Sequence, residues 1–153
     1  WMAENLNYDT GNSWCYDDDP SNCETYGRLY DWDTALTACP SGWHLPSNDE
    51  WLIIDLYLGE GNNNPGGKMK STTGWQSPNN GATNSSGFSA LPGGFRVGNN
   101  GTFKEVLTNG HWWSSTESVT NKAKTRILHY NRKDISTGSS SITNGISCRC
   151  LKD

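Results

Sequence analysis

Between Cys39 and Trp51 the chain reads CPSGWHLPSNDEW. One thiol, one imidazole, two carboxylates and two indoles stand within thirteen residues. Two chemistries could use them. His44 could take the proton of Cys39 and leave a thiolate nucleophile. Alternatively, Cys39 and His44 could join Cys148 and Cys150 as four zinc ligands. Each has a plainer competitor. A histidine between Trp43 and Leu45 reads equally as a turn residue bonded to backbone. Structural zinc sites favour closely spaced ligand pairs, and the five cysteines (Cys15, Cys23, Cys39, Cys148, Cys150) contain no C-x-x-C pair. In a polar chain they read better as disulfides of an oxidising compartment, with one thiol left over. Cys15 and Cys23 flank the acidic, Pro-containing turn YDDDPSN, which a bridge between them would close. Cys148 and Cys150 stand two apart on a predicted strand and so share a face. Cys39 can therefore reach either one.

Other residues could bind without catalysis. Asp17 and Asp19, with Asp18 between them, offer oxygens to calcium, though without EF-hand spacing. The competing reading is a solvated acidic turn. Trp112 and Trp113 are neighbours on a predicted strand and must face opposite sides. One side belongs to the core, and the other could stack on a sugar or a partner. Trp75, inside TTGWQSPNNG, could serve as an exposed platform or pin its loop to the body. Glu117 follows the tryptophan pair and completes the candidate binding set.

These residues need elements to position them. The chain has 153 residues, the size of one domain, and spans 1–153 as a single unit. Hydrophobic content is 33% and mean hydropathy −0.76, so eight tryptophans must supply much of the core. A net charge of −4 without a basic run excludes a nucleic-acid surface. No apolar stretch has the length of a membrane span. Glu24–Ala38 carries apolar residues at helical spacing, weakened at Gly27 and stopped by Pro40. Ser47 and Glu50 form a capping box ahead of WLIIDLYL, which predicts a second helix ending at Gly59 and Gly61. Its inner face carries Trp51, Ile54 and Leu58. Gly59–Gly87 has little periodicity and reads as a long irregular loop, a kind of segment that is often functional. From Phe88 onward the pattern is β, with turn signals at Asn100-Gly101, Asn109-Gly110 and Asn144-Gly145. Two helices, a long loop region and a twisted antiparallel sheet give an α+β fold.

The segments WMAENLNY, YGRLYDW, CPSGWHLPSNDEW, GFSALPGGFR, WWSST and SCRCLKD stand in this order over nearly the whole chain. Together they resemble the Fibrobacter succinogenes major paralogous domain. That family occurs on secreted and lipoprotein-type surface proteins of Bacteroidetes and Fibrobacteres, so the resemblance implies an extracellular or cell-surface location. It also implies a C-type-lectin-like fold, more distantly similar to formylglycine-generating enzymes, whose active-site cysteines do not align here. The family pattern selects Cys39–Cys150 beside Cys15–Cys23 and leaves Cys148, where a valine is usual, as a free thiol in the core. The Glu-Pro-Asn and Trp-Asn-Asp calcium motifs of sugar-binding lectins are absent. Members usually carry a strand before WMAENLNY, so the chain is expected to be a trimmed product lacking an N-terminal strand.

Three functions compete. The first is a surface binding or adhesion module for a glycan, a cell-wall polymer or a protein, without a cofactor unless calcium takes part. The second is a structural subunit of a self-assembling fibre or coat, joined by strand complementation at an open sheet edge into a homo-oligomer or filament. An enzyme is the third, and it is disfavoured. The sequence contains no Ser/His/Asp set, phosphate loop, HExxH or carboxylate pair of assignable spacing.

Overall fold

The computed structural model describes residues 1–61 and 63–153. An extended arm leads into β1 (Ser13–Trp14) and a 3-10 turn (Tyr16–Asp18). α1 (Pro20–Tyr26) starts at Asp19, whose side chain accepts from the Ser21 N–H, with proline at the first helical position. β2 (Leu29–Tyr30) and α2 (Trp32–Ala38) follow, the latter capped by Asp31 through the Thr34 N–H. The single helix expected over Glu24–Ala38 is therefore two helices with a strand between them. Gly27 is the cause. It turns the chain at φ 76, and a Cβ there would stand 2.7 Å from the Cβ of Asn5. The N-terminal arm occupies the space where a helix would continue.

β3 (Trp43–His44) precedes α3 (Asn48–Gly59), which begins with the capping box expected from Ser47 and Glu50. α4 (Pro65–Met69) lies inside the segment read as irregular, and position 62 of that segment lies outside the described residues. The β region holds β4 (Gly93–Arg96), β5 (Phe103–Val106), β6 (Asn109–Val119), β7 (Lys122–His129), β8 (Ser136–Ser141), β9 (Ile146–Ser147) and β10 (Leu151–Lys152). Asn100-Gly101 does turn β4 into β5. Asn109-Gly110 does not make a turn but opens β6. The bend falls earlier, where Glu105 and Leu107 take φ 69 and φ 66.

β6 is the spine of the sheet. One edge pairs antiparallel with β7, which carries β8 outside it. The other edge makes parallel bridges to β4 and β9. The order β1-β2-β9-β6-β4-β5, with β7 and β8 added at β6, is a curled mixed sheet rather than the purely antiparallel one expected. β10 pairs separately with β3.

The core has two parts. Tyr30, Ala35, Leu45, Trp113, Ile146 and Cys148 fill one. Trp51, Met69, Phe88, Trp112 and Leu128 fill the other. The second is an aromatic stack: Trp1 lies 4.5 Å from Trp51, and Phe88 lies 6.0 Å from both Trp51 and Trp112, centroid to centroid. Adjacent residues of β6 thus serve opposite faces, as strand geometry requires.

Candidate binding site

Cys39 is bridged to Cys150 and Cys15 to Cys23, with Cα separations of 5.9 and 4.9 Å. Cys39 is therefore not available as a nucleophile or a metal ligand. Cys148 is a free, fully buried thiol, and burial pushes it far above the ordinary thiol range. A neutral thiol without solvent access does not react. Native protein treated with iodoacetamide should keep its intact mass, and denaturant should expose one alkylation site. Labelling of the native protein at the rate of free cysteine would contradict that burial.

His44 bonds to side-chain carboxylates, not to the backbone as the sequence suggested. Nδ1 lies 2.7 Å from Asp153 Oδ1, and Nε2 lies 2.9 Å from Glu50 Oε1. The hydrogen bond to Asp153, then that to Glu50, raises the imidazole above its ordinary value. Burial pushes Glu50 up, but hydrogen bonds from Ser47 and from His44 outweigh it and leave the carboxyl below its usual range. The signs follow from linkage. The raised His44 contributes fully below pH 6.5, and that contribution is lost as pH rises through the raised value. The lowered Glu50 contributes above pH 4.5 and loses its contribution as pH falls through the lowered value. The clamp is therefore strongest in the mildly acidic range between them. It is solvent-accessible, so the effect is at most about 1 kcal/mol. The melting-temperature gap between wild type and His44→Gln should be wider near about pH 6 than near about pH 9. Equal gaps would remove the clamp from the stability account.

The tryptophan candidates divide differently from expectation. Trp112 and Trp113 are both buried, at 1% and 0% exposure. Trp112 donates to Asn5 Oδ1 at 2.8 Å, and Trp113 donates to the Tyr30 carbonyl at 2.7 Å. Neither ring reaches solvent, so neither is a platform, because the sheet is covered on both sides at this point. Trp75 is half-buried. Its Nε1 donates to the Ala90 carbonyl at 2.9 Å, and its ring packs against the Lys70 ammonium, 5.4 Å from the centroid. It pins the loop. Glu117 is exposed near the far end of β6, whereas the Gln76 amide beside Trp75 bonds Leu107 just before β6 begins. The predicted set is thus not brought together. Asp17 lies in the 3-10 turn, and Asp19 uses its carboxylate on the N–H and Oγ of Ser21. Among the described residues no three His, Cys, Asp or Glu side chains come together as a metal-binding group.

Three features escaped the sequence reading. Lys70 is fully buried, and its Nζ donates to the carbonyls of Asn80, His129 and Arg132 at 2.9–3.0 Å. Arg149 is 1% exposed and holds Asn5 Oδ1 and the carbonyls of Met2, Ala3 and Phe88. The third is the outer side of α3. Trp51 and Leu58 face inward, while Leu52, Ile53, Leu56 and Tyr57 stand 43, 67, 67 and 74% exposed. An open groove of about 690 Å³ runs beside this strip, lined by Trp1, Ile54, Tyr57, Leu58, Lys68 and Ser86 among others. The available signal was WLIIDLYL itself, which is apolar around nearly the whole helix and cannot bury every side.

A small disulfide-tied α+β domain with a curled mixed sheet is the class these observations define. The chain belongs to the Fibrobacter succinogenes major domain family, whose model matches residues 1–152. No curated protein and no solved structure matches the chain.

Proposed function

We propose that this domain is an extracellular, surface-displayed binding module on a C-type-lectin-like scaffold, taking a protein ligand on the outer side of α3. The carrying observation is the strip Leu52, Ile53, Leu56 and Tyr57, exposed on a chain whose mean hydropathy is −0.76. Contiguous exposed apolar residues rimmed by polar ones mark interaction sites. Exposed Asp49 and Glu60 stand at the two ends of the strip. A matching ligand therefore carries apolar residues flanked by Lys or Arg. Three of the four side chains, Leu52, Ile53 and Leu56, are aliphatic and offer no hydrogen bond to sugar hydroxyls, which favours a protein segment over a sugar. Two disulfides support the extracellular setting. The reading gives the domain no catalytic role, since Cys39 is bridged, Cys148 is buried and His44 is held between two carboxylates.

Panning a displayed peptide library tests the proposal. Enriched peptides should combine apolar and basic residues, and should lose at least about tenfold in affinity for Leu56→Asp. That substitution lies on the solvent side and should leave the melting temperature within a few degrees. Peptides that bind wild type and variant alike would place the contact elsewhere. Reversible dimers in light scattering, abolished by Leu56→Asp, would instead assign the strip to the seam of a self-assembled coat.

A further inference from the structure

The two bridges differ in what surrounds their sulfurs. Among the described residues no hydrogen bond reaches a sulfur of Cys39–Cys150, whereas the short bridge lies against a cation. Arg28 Nη1 stands 3.7 Å from Cys15 Sγ and 3.7 Å from Cys23 Sγ. The guanidinium is fixed there, since Nε donates to Ser13 Oγ at 3.0 Å and Nη2 to Asp9 Oδ1 at 2.7 Å. The two cysteines are not equivalent. Cys15 is half-buried, whereas Cys23 is the buried residue of α1. The loop they close holds Asp17 and Asp18 at φ 54 and φ 57, in the left-handed region that L side chains rarely adopt. Tyr16, buried against Phe103 with ring centroids 5.2 Å apart, ties the loop to the body independently of the bridge.

We propose that Cys15–Cys23 is a thiol-exchange site, which a small dithiol opens while the long bridge stays closed. One thiolate of the dithiol attacks the sulfur of Cys15, the more reachable cysteine. The bond between the two cysteine sulfurs breaks, and a mixed disulfide forms at Cys15. The electron pair leaves with Cys23, whose thiolate forms beside Arg28. A guanidinium in contact with a departing sulfur stabilises the charge that develops there and speeds the exchange. The second thiol of the reagent then attacks its own sulfur in the mixed disulfide, which releases Cys15 and closes the reagent into a cyclic disulfide. Two electrons pass from the dithiol to the protein, and its two protons end on Cys15 and Cys23. Asp17 and Asp18 are then free to leave the left-handed region, which favours the open form. Attack on half-buried Cys39 would instead leave a Cys150 thiolate in the core with no donor to its sulfur, a costly place for a charge. Asp9, 81% exposed, opposes the opening by neutralising Arg28.

Brief exposure of the native domain to dithiothreitol, quenched with N-ethylmaleimide in denaturant and mapped by mass spectrometry, decides the matter. Cys148 labels throughout and serves as the internal standard. Cys15 and Cys23 should become labelled at least about tenfold faster than Cys39 and Cys150. Arg28→Gln should slow the short bridge about threefold and leave the long one at its wild-type rate. The sign separates chemistry from packing, because a loop that had merely lost a structural side chain would open faster. Asp9→Asn keeps Arg28 and frees its charge, so the short bridge should open about twofold faster than in wild type. Both bridges opening together, Arg28→Gln opening at or above the wild-type rate, or Asp9→Asn opening no faster than wild type would each overturn the proposal.

Discussion

Replacing both Cys39 and Cys150 by alanine should remove about 5 kcal/mol of unfolding free energy. The bridge joins residues 111 apart, and the entropy it withholds from the unfolded chain grows with the logarithm of that loop. Cys15–Cys23 spans only 8, and its removal should cost about 2.5 kcal/mol on the same reasoning. The order of the two effects is the sharper expectation, since both figures share one prefactor. Urea unfolding of the two double-alanine variants measures it. Equal midpoint shifts, with equal slopes, would mean that native-state packing around the sulfurs and not loop closure sets their value. The larger loss is a sizeable part of the stability of a typical domain. Reductant alone should therefore bring the protein close to its unfolding transition at physiological temperature.

Lys70→Met should cost about 3–5 kcal/mol, far more than a surface lysine. Burial pulls the Lys70 ammonium down to about 8, so it is still charged at neutral pH. It is the donor for three carbonyls that come from the 71–80 loop and from both sides of the β7 end. A methionine of similar length fills the space but donates nothing. The carbonyls of Asn80 and Arg132 would then lose their donor, while that of His129 would keep only the Arg132 N–H, and each buried acceptor so stranded is a loss of about 1–3 kcal/mol before relaxation. Lys104, exposed on β5, provides the control, and its change to methionine should stay within about 0.5 kcal/mol. Hydrogen exchange adds an independent readout. The Gln76 and Asn80 amides bond to Leu107 and Tyr130 across the loop, and they should lose protection in Lys70→Met before the amides of β6 and β7 do. A shift no larger than that of Lys104→Met would deny Lys70 its organising role.

Local signals were legible and distant ones were not. Ser47 and Glu50 sit three apart, and the box they form needs nothing beyond its own turn of helix. Cys15–Cys23 closes a short turn, and Asn100-Gly101 falls in the four-residue loop that Val97 and Thr102 close, with Gly101 at φ 72. Choosing Cys150 over Cys148 needed the family resemblance, because strand alternation alone leaves both on one face. Gly27 was read as a weak helical residue since the arm that stops the helix comes from Asn5, far away in sequence. β8, with the sequence STGSSS, has no apolar alternation to reveal it; it is an edge strand recognised by its partner β7. The charges at Lys70 and Arg149 looked like surface residues, and their acceptors lie up to 62 and 147 positions away. Trp112 and Trp113 were correctly sent to opposite faces, but the burial of both depended on layers that periodicity does not count. The candidate site fared worst. It moved from the aromatic set to the outer strip of α3, because exposure of an apolar helix is a property of the whole assembly.

The long bridge also decides how the domain behaves under tension. Pull applied between Trp1 and Asp153 enters the scaffold at Cys39 and Cys150, which are one covalent step apart. Everything between them is bypassed, and the loop between Cys15 and Cys23 is bypassed as well. Fully stretched at about 3.5 Å per residue, the oxidised chain reaches roughly 120 Å, against roughly 530 Å for the reduced one. The load peels away the arm, α1 and α2, while α3 and the central strands carry no force through their backbone. Placed in line between an anchor and a load, the oxidised domain is a short-travel tether, and the first thing its leading segment gives up is Trp1, which leaves its stack on Trp51 of α3.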